Sequence, residues 1–192
     1  MELLERTKKI RVKLSGVSPI LFDKYAGDNK TQLSFMEKVY QEDGNLVLPS
    51  LNVMSFLSAQ NTESATQRVI GRGYKEVCKA ALSYVTIEEF NIPFTRGGKP
   101  IKAGVETLER RIDVARIMKG KLAVPNPKER PMLKTPWELC FTINLLETPS
   151  LREDMLRKIF VFGGSAIGLG TFRGVFGKFE VAGWELLKEG KE

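Results

Sequence analysis

The sequence predicts an α+β domain, and three observations carry the prediction. Polar–apolar alternation marks strands at residues 9–14, 137–145 and 178–181. Helical spacing marks segments between them, over 51–59, over 74–85 and again after Ser150. A run containing Gly163, Gly164, Gly168, Gly170, Gly174 and Gly177 then joins the last helix to the last strand.

Taken in order, the first strand sets Ile10, Val12 and Leu14 against Arg11 and Lys13, so one face enters a core and the other is basic. Gly16 and Pro19 break it with a bend or bulge, and residues 23–33 are polar enough for a loop. Residues 35–40 read as a short helix or strand without a decisive period. Glu42-Asp43-Gly44-Asn45 is a turn into the strand Leu46-Val47-Leu48, which Pro49 ends. Ser50 can cap a helix over Leu51 to Ala59. Residues 60–67 read as a polar loop, and Gly71-Arg72-Gly73 punctuates the chain before the next helix. That helix, Tyr74 to Val85, gathers Val77, Cys78, Ala81 and Leu82 on one face.

A strand over Thr86 to Phe94 follows, then the turn Arg96-Gly97-Gly98-Lys99-Pro100. Residues 110–118 alternate as a strand, and Lys119-Gly120-Lys121 can turn it into a hairpin. Trp137 to Leu145 is the central-strand candidate, with Leu139, Phe141 and Ile143 on one face. Ser150 and Glu153 form a capping box for a helix whose stripe is Leu151, Met155, Ile159 and Phe162. This order of strands and helices fits a ferredoxin-like domain with its sheet exposed on one face. One domain over 1–192 is expected, with 96–135 as a basic hairpin insertion and a glycine-rich loop near the C-terminus.

With 192 residues, 42% of them hydrophobic and 28% charged, the chain can bury its own core and is not of disordered composition. No run of eighteen apolar residues could span a membrane, and the opening MELLERTKK lacks the apolar core of a signal peptide. The cytoplasm is the expected location. There is no histidine, which removes the commonest general base and any imidazole metal ligand. Cys78 and Cys140 stand far apart with no CxxC, so free thiols are expected and a zinc site is not. No metal, no cofactor and no catalytic residue are expected.

Net charge is +7, and it is concentrated. Between Arg110 and Lys134 eight basic residues face only Asp113 and Glu129, a net +6 in about one eighth of the chain. Arg110, Arg111, Arg116, Lys119 and Lys121 are therefore candidates for phosphate contacts. The competing reading is a solvated basic loop, since charge runs usually are. Around the glycines, Arg173 and Lys178 bring positive charge, with Phe172 and Phe176 interleaved. Glycine, base and aromatic together suit a phosphate backbone and its bases, with Gly168 and Gly170 expected to let the backbone approach a ligand. Alternatively the glycines serve only packing and capping. No nucleotide P-loop is present, because the run goes helix, loop, strand and has no GK[ST]. Arg11 and Lys13 are further candidates if single strands lie on the open sheet face, and Tyr25 is a further stacking ring.

Two stretches together resemble a known family. IRVKLSGVSPILFDKY, from Ile10 to Tyr25, is a strand with a Gly-x-x-Pro turn and an apolar continuation, and GLGTFRGVFGKFEV closes the chain. With RPMLKTPWELCFTI between them, they resemble the RAMP superfamily, the backbone proteins of CRISPR effector complexes, and especially the short RAMP-like proteins of phage and prophage. The resemblance implies a ferredoxin-like, RRM-related core and single-stranded RNA or DNA as ligand. It also implies a hairpin that projects as a "thumb" onto the strand, and assembly in multiple copies along it. Non-enzymatic binding is the expected function. Two alternatives stay open. One is a protein-binding module that mimics or inhibits an effector subunit. The other is a metal-dependent RNA-cleaving subunit, for which Asp23 or Asp28 would supply the loop aspartate.

Overall fold

The computed structural model of the protein describes residues 7–28, 30–58, 63–119 and 122–187. Its chain runs through β1 (Thr7–Gly16), β2 (Ile20–Leu21), β3 (Gln41–Glu42) and β4 (Asn45–Pro49) to helices α1 (Ser50–Ser58), α2 (Ala65–Ile70) and α3 (Tyr74–Tyr84). Strands β5 (Val85–Ile87), β6 (Asn91–Arg96), β7 (Lys99–Pro100), β8 (Glu109–Lys119), β9 (Leu122–Leu133) and β10 (Glu138–Leu146) follow. Helix α4 (Glu153–Ala166) and β11 (Phe179–Leu187) complete it.

The architecture is mixed α/β with an antiparallel sheet. Its main path runs β11-β1-β10-β6-β4-β3, with β5 also on β10 and β7 on β6. Strand β1 lies between β10 and β11 and is antiparallel to both, with Ile10 opposite Ile143 and Val12 opposite Phe141. The alternation in the sequence explains this placement. Ile10, Val12, Leu14, Leu139, Phe141, Ile143 and Leu145 are all fully buried on the helix-covered face. Each such burial contributes roughly 1.5–3 kcal/mol relative to an exposed side chain. Phe56 of α1 and Phe160 of α4 meet over that face at 5.4 Å, and Phe160 also meets Phe141.

The second sheet is small, β2-β9-β8, and most of it is a long antiparallel hairpin. Its ladder runs from Glu109 opposite Met132 to Lys119 opposite Leu122. Strand β9 carries Pro125, Pro127 and Pro131, which the alternation rule would take for breakers. All three have the same parity, so their missing N–H groups point to one edge and leave the ladder to β8 intact. The short strand β2 ties the hairpin's base to the domain through Ile20–Leu133 and Leu21–Met132.

Four local expectations need correction. Of the polar run 60–67, residues 60–62 lie outside the described residues, and its end is helix: Ala65–Ile70 is helical, and the Ser64 hydroxyl caps it by accepting from the Gln67 N–H. In place of one strand over 86–94 there are two, β5 and β6, with Glu88 and Glu89 folded over Thr142 between them. Helix α4 begins at Glu153 with Arg152 at the cap, because Thr148 and Leu151 close a turn of their own before Ser150 could act. The stripe shifts with it to Leu156, Ile159, Phe160 and Gly163, leaving Phe162 exposed. Gly163 and Gly164 therefore belong to the helix and not to the loop. Among the described residues, no helix is long and apolar enough to cross a membrane.

Candidate nucleic-acid interface

Cross-strand register decides which charges of the hairpin share a face. Arg111 stands opposite Arg130, and Asp113 opposite Lys128, so these four lie on one side. Arg110 falls on the other side, over the Phe35 ring at 5.0 Å and paired with Glu129. Arg116 and Lys119 occupy β8 opposite Pro125 and Leu122. Lys121 lies outside the described residues.

At the hairpin's base the loop after α4 brings up two rings. Phe172 and Phe176 stand 5.8 Å apart, Arg130 lies over Phe172 at 5.9 Å, and Arg111 over Phe176 at 5.8 Å. The result is a strip in which cation and aromatic face alternate, the composition that single-stranded nucleic acid uses for phosphate and base. Asp23, just after β2, anchors one end. A single carboxylate oxygen accepts from Lys128 Nζ and Arg130 Nε, each at 3.2 Å. Beyond it Lys24 lies over Tyr40 at 5.6 Å, and Tyr25 is exposed.

The loop itself is held by its own chain. The N–H of Leu169 donates to Gly177, that of Gly177 to Pro19, and that of Thr171 to Leu21, at 2.9, 2.7 and 3.1 Å. Gly170 N–H donates to the Asn52 side chain at 2.9 Å. A Cβ on Gly168 would lie 2.5 Å from the Gly177 carbonyl oxygen, and one on Gly170 would lie 2.7 Å from that of Leu21. Both have positive φ, +77° and +80°. The close approach expected of a ligand at Gly168 and Gly170 is thus made by the protein's own backbone. What the glycines position is Phe172, half exposed at φ +54°. Lys178 is fixed through its backbone, which receives Val17 N–H and donates to Ser18 Oγ.

Arg173 is half-buried, and desolvation holds its guanidinium below the ordinary value. It lines a cleft of about 530 Å³ between the glycine loop and helices α1 and α2.

Arg11 and Lys13 belong to a different surface, the open face of the main sheet. Lys13 pairs with Glu138 at 2.9 Å and Lys9 with Glu88 at 2.7 Å, while Arg11 stands opposite Glu185. The Arg11 guanidinium lies 4.0 Å from Cys140 Sγ, and that contact with the nearby carboxylates raises its pKa. This face pairs its cations with carboxylates. The structure therefore gathers Arg111, Phe172 and Phe176 and leaves Arg11 and Lys13 elsewhere. It adds Lys128 and Arg130, which the sequence reading counted in the basic run without choosing them as contacts, and gives Asp23, considered there only for cleavage, a pairing role. The signal for the two cations was parity along β9, hidden by its prolines.

Both aspartates considered for cleavage are engaged. Asp23 serves two cations, and Asp28 accepts from the Lys30 and Thr31 N–H groups and the Thr31 hydroxyl, which hold its carboxyl below the usual range.

No family model and no curated protein matches the sequence. Solved structures do match. A chain in the cryo-EM structure of the Type III-B Cmr-beta bound to cognate target RNA aligns with 96% of this protein, with 14% identity and a TM-score of 0.53. The fold is RAMP-like. This protein spans 62% of that chain's length. Cmr6 from Pyrococcus furiosus aligns over 94% of this chain and 100% of its own, at 9% identity and a TM-score of 0.48. Csc2 from Thermofilum pendens aligns over 95% of this chain and 66% of its own, at 16% identity and a TM-score of 0.30.

Proposed function

We propose that this protein binds single-stranded nucleic acid, RNA in the first place, without cleaving it. The observation that carries the reading is the pairing of Arg111 with Phe176 and of Arg130 with Phe172 on one strip. Guanidinium groups so placed can take successive phosphates while the rings stack bases, at about 1–3 kcal/mol per base. Asp23 sits where a phosphate would, so an incoming strand exchanges its phosphates for that carboxylate at Lys128 and Arg130. The RAMP-like fold supports the choice of RNA, since the similar Cmr-beta structure holds target RNA. The strand order β11-β1-β10-β6, antiparallel throughout, supports a ferredoxin-like, RRM-related core with 96–135 inserted as the basic hairpin. Assembly in several copies along the strand, a cytoplasmic location and kinship with the phage RAMP-like proteins complete the proposal.

Fluorescence anisotropy with labelled single-stranded RNA and DNA, at two salt concentrations and with or without Mg²⁺, tests it. Arg111→Ala with Lys128→Ala should weaken binding to all sequences and flatten the log–log salt slope by about one unit for each phosphate no longer neutralised. Unchanged affinity and slope in that double variant would reject the strip. Binding to an effector complex with no affinity for oligonucleotides would favour the protein-binding alternative. Shortened product in Mg²⁺ would overturn the non-enzymatic reading, and an Asp23→Ala variant would then identify its source.

A further inference from the structure

Among the described residues the edges of the two sheets are guarded in different ways, and that of β11 is open. Strand β3 is only two residues long. Where β9 runs past β2, Pro125 and Pro127 have no N–H to offer, and the Glu129 carbonyl already accepts from Lys38 Nζ at 2.6 Å. Strand β8 carries Arg110 and Arg111, charges that discourage a neighbour. Strand β11 ends the main sheet, nine residues long, with neither proline nor a basic residue. Its inner side pairs with β1, and among the described residues no strand pairs with its outer side. A free edge of this length presents a row of unpaired N–H and C=O groups.

The side chains of β11 define what fits there. Leu186 stands opposite Ile10 of β1, which is fully buried, yet Leu186 is 52% exposed because no described strand lies beyond it. Trp184, opposite Val12, meets Phe160 at 5.6 Å and is half-buried. This face therefore calls for apolar residues from a neighbour. On the open face Glu185 stands across from Arg11 and Glu180 across from Ser15, both glutamates exposed. In an even strand two residues so spaced would lie on opposite faces. The register shift at Lys13/Leu14, which skips Ala182, returns Glu180 to the face of Glu185. The open face thus calls for cations.

We propose that the outer edge of β11 is a docking site for an extended segment of a protein partner in which basic and apolar residues alternate. The segment adds as a further antiparallel strand, its apolar side chains covering Leu186 and Trp184 and its basic ones facing Glu180 and Glu185. Strand β1 has this composition, with Lys9, Arg11 and Lys13 on one face and Ile10, Val12 and Leu14 on the other, and it already pairs with β11 from the inner side. A second copy of β11 fits poorly, since it would set carboxylates against carboxylates on the open face. A nucleic-acid strand would meet the same carboxylates with its phosphates and has no peptide ladder to offer. The inference stands apart from the strand-binding reading, whose residues lie on the hairpin and the glycine loop.

The probe is a synthetic peptide with the sequence of Thr7–Gly16, blocked at both ends and titrated by NMR into the intact protein. It should shift the backbone amide signals of β11 between Gly183 and Leu187 and slow their hydrogen exchange. A counterpart peptide with Lys9→Glu, Arg11→Glu and Lys13→Glu should bind about tenfold more weakly, the effect of two cross-strand charge pairs reversed in sign. In the protein, Glu180→Lys with Glu185→Lys should invert that preference at an unchanged melting temperature, both positions being exposed. A β1 peptide that leaves the β11 amides unmoved overturns the proposal, as do equal affinities for the two peptides or a preference that the double variant keeps. Protection of the β11 amides in the protein alone, rising with its concentration, would put a second copy on the edge and overturn it as well.

Discussion

Phe172 and Gly170 stand two residues apart, and the loop asks opposite things of them. At φ +54° a phenylalanine holds its ring in place at the expense of backbone strain, and glycine would relieve that strain. Phe172→Gly should therefore melt at or above the parent temperature and yet bind single strands about 5- to 150-fold more weakly, the equivalent of one base left unstacked. Undiminished affinity in that variant would make the ring incidental. Gly170 shows the converse. Its Cβ direction is filled by the Leu21 carbonyl and the Ile20 side chain, and its φ is +80°. Gly170→Ala should lower stability by about 1–3 kcal/mol, read by thermal unfolding, through overpacking and strain together. The folded fraction of that variant should bind like the parent, because no ligand is needed to explain this glycine.

Elements whose buried face was written in one period were legible in the sequence, and those shaped by distant partners were not. Alternation in β1 and β10 foretold which side chains fill the core, and Asp43-Gly44 and Gly97-Gly98 marked both short hairpins. Strand β9 was hidden by prolines that only its partner β8 renders harmless, and with it went Arg130, whose role depends on Asp23 and Phe172 from far along the chain. The helix start at α4 is obscured for a similar reason. A capping box would have Glu153 reach back to Ser150, but its carboxylate instead accepts from Trp184 Nε1 of β11 at 2.6 Å, a tertiary bond that no local motif displays. Glu153→Ala should thus loosen the contact between α4 and β11, costing about 1–3 kcal/mol in chemical denaturation, as a hydrogen bond to a charged group does. A variant as stable as the parent would return Glu153 to a merely local role at the helix start.

Charge is distributed over the whole molecule so that one side differs from the rest. The main sheet's open face pairs Lys9, Arg11 and Lys13 with Glu88, Glu138 and Glu185, whereas the hairpin region holds nearly all the net positive charge. On the proposed reading a polyanion is drawn to the hairpin and loop, and its affinity should fall steeply with salt. The response to pH should be quite different. There is no histidine anywhere in the chain, and the strip's cations are arginine and lysine. Carboxylates such as Asp28 are held below their usual range by hydrogen bonds, which keeps them ionised above it. Burial pushes the Cys78 thiol and the Tyr40 hydroxyl upward, so neither loses its proton near pH 7. Histidine is the side chain whose ordinary pKa falls between about pH 5.5 and 7.5, and the chain has none. Single-strand affinity measured at fixed ionic strength should stay constant across that window while changing severalfold on doubling the salt. A titration midpoint inside the window would mean that a group outside the strip, or a proton taken up with the ligand, governs binding, and the assignment to Arg111, Lys128 and Arg130 would fall.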